Sequence, residues 1–151
     1  MNIFILSKNP VKAAQMQCDR HCVKMILESA QLLCNAFPPE SVPYKRTHYN
    51  HPCAVWVRES RENYLWLLRH ALALCQEYSM RYGKRHKTQS VLENLPYPDH
   101  LPDIGLTEFA QCMPEEYKNL DAVLAYRAYY KFKRETIQFC YTNRAVPEWL
   151  L

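Results

Sequence analysis

Residues 9–39, with the sequence NPVKAAQMQCDRHCVKMILESAQLLCNAFPP, decide the fold. Asn9 followed by Pro10 is typical of a helix N-cap and a first helical position. Apolar residues then cover most of a helical circumference, which predicts one long helix from Pro10 to about Asn35, ended by the Pro-Pro pair. A helix that is apolar nearly all round belongs in the middle of a molecule.

One arc of this helix is polar. At about 100° per residue, the arc covers roughly a third of the circumference. Its members are Gln17, Arg20, His21, Lys24, Glu28 and Gln31. Since the other faces are apolar, we expect this arc to open into a cleft. Asp19 lies outside the arc among apolar residues, so its carboxylate needs a partner or a shifted pKa.

Two neighbouring segments are interpreted from the same kinds of signal. The short apolar run Ile3–Leu6 predicts either a buried strand or an extended lead-in to the first helix. A second long helix is predicted from Pro52 to near Gly83, because Pro favours the first helical position and Gly favours the position just past a helix end.

The rest of the chain predicts a connection and a third helix. Residues 84–120 contain four prolines, so we expect a loop there with at most a short helix near Gln89–Leu95. Asp121 is a helix-capping residue type, and a third long helix is predicted from it to about Tyr141. Residues 1–151 are therefore expected to form a single compact all-α domain of three long helices, with a Pro-rich connection between the second and third.

Composition excludes several classes of protein. The chain has 2 Gly and 10 Pro, which argues against a Gly-rich phosphate loop and against a β-barrel with many tight turns. No stretch approaches the roughly 20 apolar residues of a membrane span, and the first residues lack the basic region of a secretory signal. Seven Cys without a disulfide pattern indicate reduced thiols, so we expect a cytoplasmic protein with no membrane contact.

Charge is divided unevenly along the chain. Residues 1–87 carry 13 Lys and Arg against 6 Asp and Glu, whereas residues 88–121 carry Lys118 alone against 7 acids. This asymmetry favours a partner that carries phosphate. The alternative is a simple division between solvated faces.

The polar arc carries the first candidate site. His21 is a titratable imidazole, Glu28 and the nearby Asp19 are carboxylates, and Arg20 and Lys24 are cations. This set could bind a phosphate and move a proton, with His21, Glu28 and Asp19 as catalytic candidates and Arg20 and Lys24 as phosphate ligands. The alternative is a solvated face with a Lys24–Glu28 pair worth about 0.3 kcal/mol.

Two further candidate sites are basic or polar. His48, Asn50 and His51 precede the second helix, and Arg58 follows within it. Ring nitrogens and an amide beside the free N–H groups of a helix start favour an anion, although capping alone would explain Asn50 and His51.

The basic run at residues 81–87, RYGKRHK, predicts contacts to backbone phosphates from Arg81, Lys84 and Arg85. The alternative is that these cations only complement the helix dipole.

A metal site is not predicted. Zinc-ligand residue types are present at Cys18, His21, Cys22, His48, His51 and Cys53. Their spacing matches no Cys/His finger, and Cys18 and Cys22 lie on the apolar side of the first helix. The sequence also predicts no cofactor, since it contains no Walker A, G-x-S-x-G or H-E-x-x-H motif.

The order of these motifs resembles the pyrimidine dimer DNA glycosylase (endonuclease V) family of phages and its bacterial relatives. The resemblance rests on AAQ at residues 13–15, DRH at 19–21, NHP at 50–52 with Trp56, the run from Arg69 to Gly83, and PEW at 147–149. It implies an all-α fold with three main helices and the amino terminus buried between them. It also implies DNA binding, base flipping and cleavage of the glycosidic bond.

The resemblance also implies roles for individual residues. Family members use a first-helix Glu beside phosphate-binding Arg residues, and Arg20 and Lys24 match the two basic positions. In that register the position of the catalytic Glu holds His21, whereas a shifted register offers Glu28 or Asp19.

The family nucleophile is the α-amine of the residue after the removed initiator Met. Because Asn2 is large, we expect Met1 to be retained and the amine to lie one residue further out.

Two functions remain open at this point. One is a DNA N-glycosylase and AP lyase that acts by base flipping. The other is a non-catalytic protein that sequesters a small nucleotide, or a cyclic-nucleotide immune signal, in the same helical cleft. The expected partner is thus DNA or a small nucleotide, and the sequence does not predict the oligomeric state.

Overall fold

The computed structural model describes residues 1–151, which form helices joined by turns and extended segments. The α-helices are α1 (Pro10–Gln15), α2 (Asp19–Cys34), α3 (Pro52–Glu59), α4 (Arg61–Tyr82), α5 (Gln89–Glu93) and α6 (Ala122–Thr136). Short 3₁₀ helices lie at Pro39–Ser41, Glu115–Tyr117 and Glu148–Leu150. The all-α class is confirmed, but two of the three predicted helices are each divided in two. No helix combines the length and the hydropathy that a membrane span requires.

The predicted first helix is interrupted at residues 16–18, between α1 and α2. Asn9 caps α1 as predicted, because its side-chain oxygen accepts the N–H groups of Val11 and Lys12. The interruption itself was not predicted. The members of the polar arc therefore belong to α2, except for Gln17, which lies in the interruption.

Backbone groups freed at this interruption bind side chains from far along the chain. Tyr141 Oη donates to the Met16 carbonyl at 2.7 Å. The Cys18 N–H donates to Tyr130 Oη at 2.9 Å. Since both partners lie more than 100 residues away in sequence, the local pattern of residues 9–39 could not indicate the break.

The predicted second helix is divided at Ser60 into α3 and α4. Ser60 has an extended backbone, with φ −151° and ψ 157°, and its hydroxyl accepts the N–H of Asn63, so it caps α4. The Asn63 side chain donates to the Trp56 carbonyl and ties the end of α3 to α4. Gly83 ends α4 in the left-handed conformation, with φ +69°, as predicted.

The third helix begins as predicted and ends early. Asp121 caps α6, but the helix stops at Thr136. The chain beyond it crosses the start of α2, where the Cys140 carbonyl accepts the Asp19 N–H at 2.8 Å. Thr142 donates both its N–H and its hydroxyl to the Asp19 carboxylate. The short α5 lies where a short helix was predicted.

Residues Ile3–Leu6 are an extended lead-in, not a strand, and all four lie in the core. Without a neighbouring strand, buried backbone groups need other partners. Arg127 Nε donates to the Leu6 carbonyl at 3.0 Å, and Trp66 Nε1 donates to the Lys8 carbonyl at 2.9 Å. One hydrophobic core extends from Ile3 to Leu150 and so includes both ends of the chain.

The prediction that the first helix is enclosed on all its apolar faces is wrong for one side of α2. Val23 and Leu27 are 39% and 42% exposed. Met25 and Ile26 on the other sides are buried. The difference arises because α4 and the N-terminal segment cover only part of the circumference of α2.

Arg81 forms the most buried ionic network of the protein. Its side chain is 0% exposed, and its guanidinium lies 3.0 Å from Asp19 Oδ1 and 3.1 Å from Glu77 Oε1. Arg144 contacts the same Glu77 carboxylate at 2.6 Å. Burial alone would raise the pKa of Asp19, but hydrogen bonds from Thr142 and Arg81 outweigh it and lower that pKa. Two carboxylates neutralise the charge of Arg81 away from solvent, which leaves no accessible cation at Arg81 for the predicted phosphate contact.

We expect Glu77→Gln to lower the free energy of unfolding by about 3 kcal/mol, because it removes one of the two anions that compensate a buried guanidinium. Urea denaturation followed by circular dichroism would measure the change. The matched control is Glu93→Gln, which breaks the exposed Arg85–Glu93 pair and should leave the midpoint unchanged. Equal effects of the two substitutions would contradict this assignment.

The environment of His70 leads us to expect that the free energy of unfolding decreases in acid. Its Nδ1 lies 2.9 Å from the Pro10 carbonyl and its Nε2 lies 3.0 Å from Gln17 Nε2, so Nδ1 carries the proton of a neutral ring. Burial lowers the pKa of His70 from 6.5 to about 4. Between these values the unfolded chain binds a proton that the folded chain does not, so stability falls as the pH falls.

The variant His70→Gln should reduce the slope of unfolding free energy against pH by up to about 1.4 kcal/mol per pH unit in that window. Urea titrations at pH 7, 6, 5 and 4 would measure both slopes. Parallel curves for the variant and the unmodified chain would contradict a neutral buried His70.

Candidate functional site

A cavity of about 210 Å³ lies beside the N-terminus, between α2 and α6. α2 supplies four of its lining residues and α6 supplies two. The lining consists of Met1, Asn2, Phe4, His21, Lys24, Met25, Glu28, Tyr129 and Lys133. The cavity thus brings together three members of the polar arc, the terminal amine of the chain and a lysine from α6.

The α-amine of Met1 is paired with Glu28 in this cavity. The nitrogen lies 3.3 Å from Glu28 Oε1, and the two side chains are only 4% and 12% exposed. Lys24 Nζ lies 3.8 Å from the other carboxylate oxygen, and its side chain is largely in solvent. Glu28 therefore holds the Met1 amine on one side and an accessible cation on the other.

Asn2 fixes the position of Met1. Its Nδ2 donates to the Cys112 carbonyl at 2.9 Å, and its Oδ1 accepts the Tyr126 hydroxyl at 2.9 Å. The same oxygen accepts the Ile3 N–H at 2.8 Å. Because every polar atom of this side chain is bonded, the residue before it is held against α2.

His21 lines the cavity as a neutral imidazole. Burial, followed by the charges of Lys133, Lys24 and Arg20, lowers its pKa to about 3. Its ring stacks on Phe4, with centroids 4.5 Å apart. A neutral His21 cannot donate a proton as an imidazolium near pH 7.

The tautomer of His21 follows from its neighbour. Tyr130 Oη lies 2.8 Å from Nδ1 of His21 and also accepts the Cys18 N–H. The hydroxyl proton is then free to bond Nδ1, which assigns the ring proton to Nε2. His21 can therefore offer a fixed N–H donor instead of an exchangeable proton.

Three cations lie at or next to the cavity: Lys24 and Lys133 line it, and Arg20 precedes the cavity residue His21 on α2. Arg20 and Lys24 project from α2, and Lys133 projects from α6, where its Nζ lies 5.2 Å from the centroid of the Tyr129 ring. All three lower the pKa of His21, so their fields overlap at the site. We call Arg20, Lys24 and Lys133 the basic rim. A rim of this kind favours an anionic ligand.

The segment before α3 lies close to the same cavity. His51 Nδ1 accepts the Cys53 N–H at 3.1 Å and caps α3, as the capping alternative predicted. Burial lowers the pKa of His51, the Met1 amine and His48 lower it further, and Glu28 raises it. The charges of Met1 and Glu28 thus act on His51, although His51 does not line the cavity.

The other members of the second candidate site are more exposed. His48 has a left-handed backbone, with φ +50°, and its Nδ1 lies 2.8 Å from Thr47 Oγ1. Asn50 is exposed beside it. Arg58 lies over the Tyr49 ring at 3.7 Å, which leaves an arginine–aromatic stack on the surface.

Asp19 and the cluster at 81–87 do not line the cavity. Asp19 belongs to the network of Arg81, which leaves Glu28 as the acidic residue of the site. Arg85 pairs with Glu93, and Lys84 is exposed next to it. The predicted phosphate contacts of Lys84 and Arg85 would therefore lie on a part of the surface outside the cavity.

Sequence reasoning missed Tyr129 and Lys133 as site residues. A signal was present, because Tyr126, Tyr129, Tyr130 and Lys133 follow the three-and-four spacing of one helix face. That stripe marks the side of α6 that faces the core, and Lys133 is the cation at its end.

A larger groove, of about 540 Å³, lies between Lys8, the segment 106–111 and the start of α6. Its charged members are Lys8, Glu108 and Asp121, and Asp121 is already bonded as the cap of α6. The groove contains no paired nucleophile and carboxylate. The smaller cavity at Met1 is therefore the better candidate for chemistry.

Comparison with known proteins supports the resemblance noted in the sequence. No curated protein and no solved structure matches the chain. The family model described as pyrimidine dimer DNA glycosylase matches residues 1–90, a segment that includes α1–α4, Met1 and Glu28 but not the cavity residues of α6. The chain belongs to the pyrimidine dimer DNA glycosylase family.

Proposed function

We propose that this chain acts on DNA as a glycosylase, taking one nucleotide out of the stack and cleaving its N-glycosidic bond with the α-amine of Met1 as the nucleophile. The observation that carries the proposal is the Met1–Glu28 pair in the cavity, with 3.3 Å between the amine nitrogen and a carboxylate oxygen. Membership of the family supports the same class of substrate and reaction.

The carboxylate of Glu28 acts as the proton carrier. It accepts a proton from the Met1 ammonium, which frees the nitrogen lone pair. That lone pair forms a bond to the sugar C1′ while the C1′–base bond breaks and its electrons leave with the base. The protonated Glu28 then returns its proton to the departing base. Proton donor and acceptor are thus one group, placed beside the nucleophile.

The adduct is resolved without further protein groups. The second amine proton passes to O4′ as the C1′–O4′ bond breaks, which opens the sugar ring and leaves a protonated imine between Met1 and C1′. Water hydrolyses the imine to release the sugar aldehyde and restore the amine. Elimination of the 3′ phosphate from the imine would give the lyase product instead.

The basic rim supports DNA as the ligand. An extruded nucleotide brings its flanking phosphates to the mouth of the pocket that receives its base or sugar. Lys24 and Lys133 line that pocket, and Arg20 adjoins it next to His21. The cavity of about 210 Å³ is below the roughly 300 Å³ at which pockets begin to enclose drug-sized ligands, so it suits part of one nucleotide. A cyclic dinucleotide would need more room, which favours the glycosylase over the sequestering protein.

We infer that residues 1–151 work as one domain with an endonuclease V-like arrangement, in which the amino terminus is enclosed between α2 and α6. The family match ends at residue 90, yet Tyr129 and Lys133 line the cavity. The continuous core from Ile3 to Leu150 supports the same inference.

Borohydride trapping on DNA with an abasic site should yield a covalent adduct on Met1, because reduction fixes the imine. We expect Glu28→Gln to lower the trapping rate by about 10²- to 10⁴-fold, since it removes the proton carrier. Gel electrophoresis would measure the rate, and mass spectrometry of the first peptide would locate the adduct. The matched control is Glu40→Gln, an exposed carboxylate that should trap normally.

A second variant keeps the test independent of folding. One additional residue before Met1 should abolish trapping, because it moves the amine away from Glu28, while circular dichroism confirms the fold. An adduct on Lys24 would overturn the role of Met1. Salt-dependent nucleotide binding with no adduct from the folded chain would favour the sequestering function.

Affinity for duplex DNA should fall with added salt. Each of Arg20→Ala, Lys24→Ala and Lys133→Ala is expected to reduce the slope of log affinity against log salt by about 1, because each removes one phosphate contact. Fluorescence anisotropy at several salt concentrations would measure the slopes. Lys84→Ala is the control, because Lys84 belongs to the cluster at 81–87. It should leave the slope unchanged if the DNA phosphates contact only the basic rim. A flat response of the unmodified chain would contradict a phosphate-bearing partner.

A further inference from the structure

The side chains of two cysteines and one histidine, which come from two separate segments of the chain, lie close together. His51 and Cys53 lie at the start of α3, and Cys112 lies in the long connection before α6. A ring nitrogen of His51 and the two sulfurs are all within 4.8 Å of one another. The sulfurs are 3.3 Å apart. The glycosylase chemistry uses none of these three side chains.

The separation of the sulfurs favours a shared metal over a disulfide. Two Zn–S bonds of about 2.3 Å at a tetrahedral angle hold their sulfurs roughly 3.8 Å apart. A disulfide needs about 2.05 Å. The two sulfurs would therefore move apart by about 0.5 Å to bind a zinc ion. To form a disulfide they would have to approach by more than twice that distance.

The three side chains are donor types that zinc prefers, two cysteine sulfurs and one imidazole nitrogen. The lone pair of His51 Nδ1 accepts the Cys53 N–H, so a metal–nitrogen bond to His51 would take the place of this capping bond.

Outer hydrogen bonds hold Cys112 in place. Its N–H donates to Tyr126 Oη at 3.2 Å, and its carbonyl accepts Asn2 Nδ2 at 2.9 Å. Supporting bonds of this kind orient metal ligands and are part of a built site. Cys53 is buried and Cys112 is partly accessible, which leaves a path for an ion.

We propose that His51, Cys53 and Cys112 bind one zinc ion. Both thiols lose their protons to solvent on binding, and the neutral imidazole supplies the third ligand, with water at the fourth position. The ion would fasten the connection around Cys112 to the start of α3. It would thereby steady Asn2 and the N-terminal segment from below, and the proposal holds whether or not the chain is a glycosylase.

Metal content and a cobalt spectrum test the proposal. The chain, purified reduced and without a histidine tag, is dialysed against zinc, and elemental analysis is expected to find one zinc per chain. Replacement by Co²⁺ should give a sulfur-to-cobalt charge-transfer band. Cys112→Ser and His51→Asn should each weaken zinc binding by more than about 100-fold, beyond the effect of losing an outer hydrogen bond.

The variants are chosen to keep the fold. Asn caps helices well, so His51→Asn removes the ligand while α3 keeps its cap. Cys140→Ser, at an exposed cysteine outside the cluster, is the matched control and should bind zinc normally. A chain without stoichiometric zinc or the charge-transfer band would overturn the proposal. So would equal loss in all three variants, or a chain two hydrogens lighter with Cys53 and Cys112 in one cross-linked peptide.

Discussion

The arrangement of this protein depends on an extended segment, Ile3–Leu6, that is buried among helices. Such a segment has no ladder to bond its peptide groups, so side chains must reach it, and Arg127 Nε donates to the Leu6 carbonyl at 3.0 Å. Its apolar side chains join the core, and the side chain of Asn2 anchors the residue before it. The buried segment thus holds the Met1 amine next to Glu28.

A second constraint is the interruption before α2, where side chains take over the hydrogen bonds that a continuous helix would make internally. Tyr130 and Tyr141 bond the backbone at this point, and the Arg81 guanidinium donates to the Gln15 carbonyl. Tyr130 also bonds His21, so one hydroxyl links the start of α2 to the orientation of a ring in the cavity. The direction of α2 and the shape of the site are therefore coupled.

The sequence predicted the features that depend on neighbouring residues. Asn9, Asp121 and Gly83 act as helix ends because caps are local, and helical periodicity correctly grouped His21, Lys24 and Glu28 on one arc. The two helix interruptions could not be predicted. The hydrogen-bond partners of residues 16–18 are distant in sequence, and the break at Ser60 depends on a single hydroxyl that caps α4. Arg81 was assigned to phosphate contacts because a basic run does not reveal that carboxylates from α2 and α4 enclose its first member. The family resemblance implied a buried amino terminus, but the pairing of the Met1 amine with Glu28 is set by tertiary packing.

The hydrogen bonds from α6 and the segment after it have a consequence for biosynthesis. At the usual 5–20 residues per second, the first half of the chain leaves the ribosome several seconds before Arg127, Tyr130 and Tyr141 are made. Until then, the carbonyls of Leu6 and Met16 and the amide of Cys18 lack their final partners. A nascent chain at that stage can hold helices but not the enclosed terminus, so the cavity closes only when translation is almost complete.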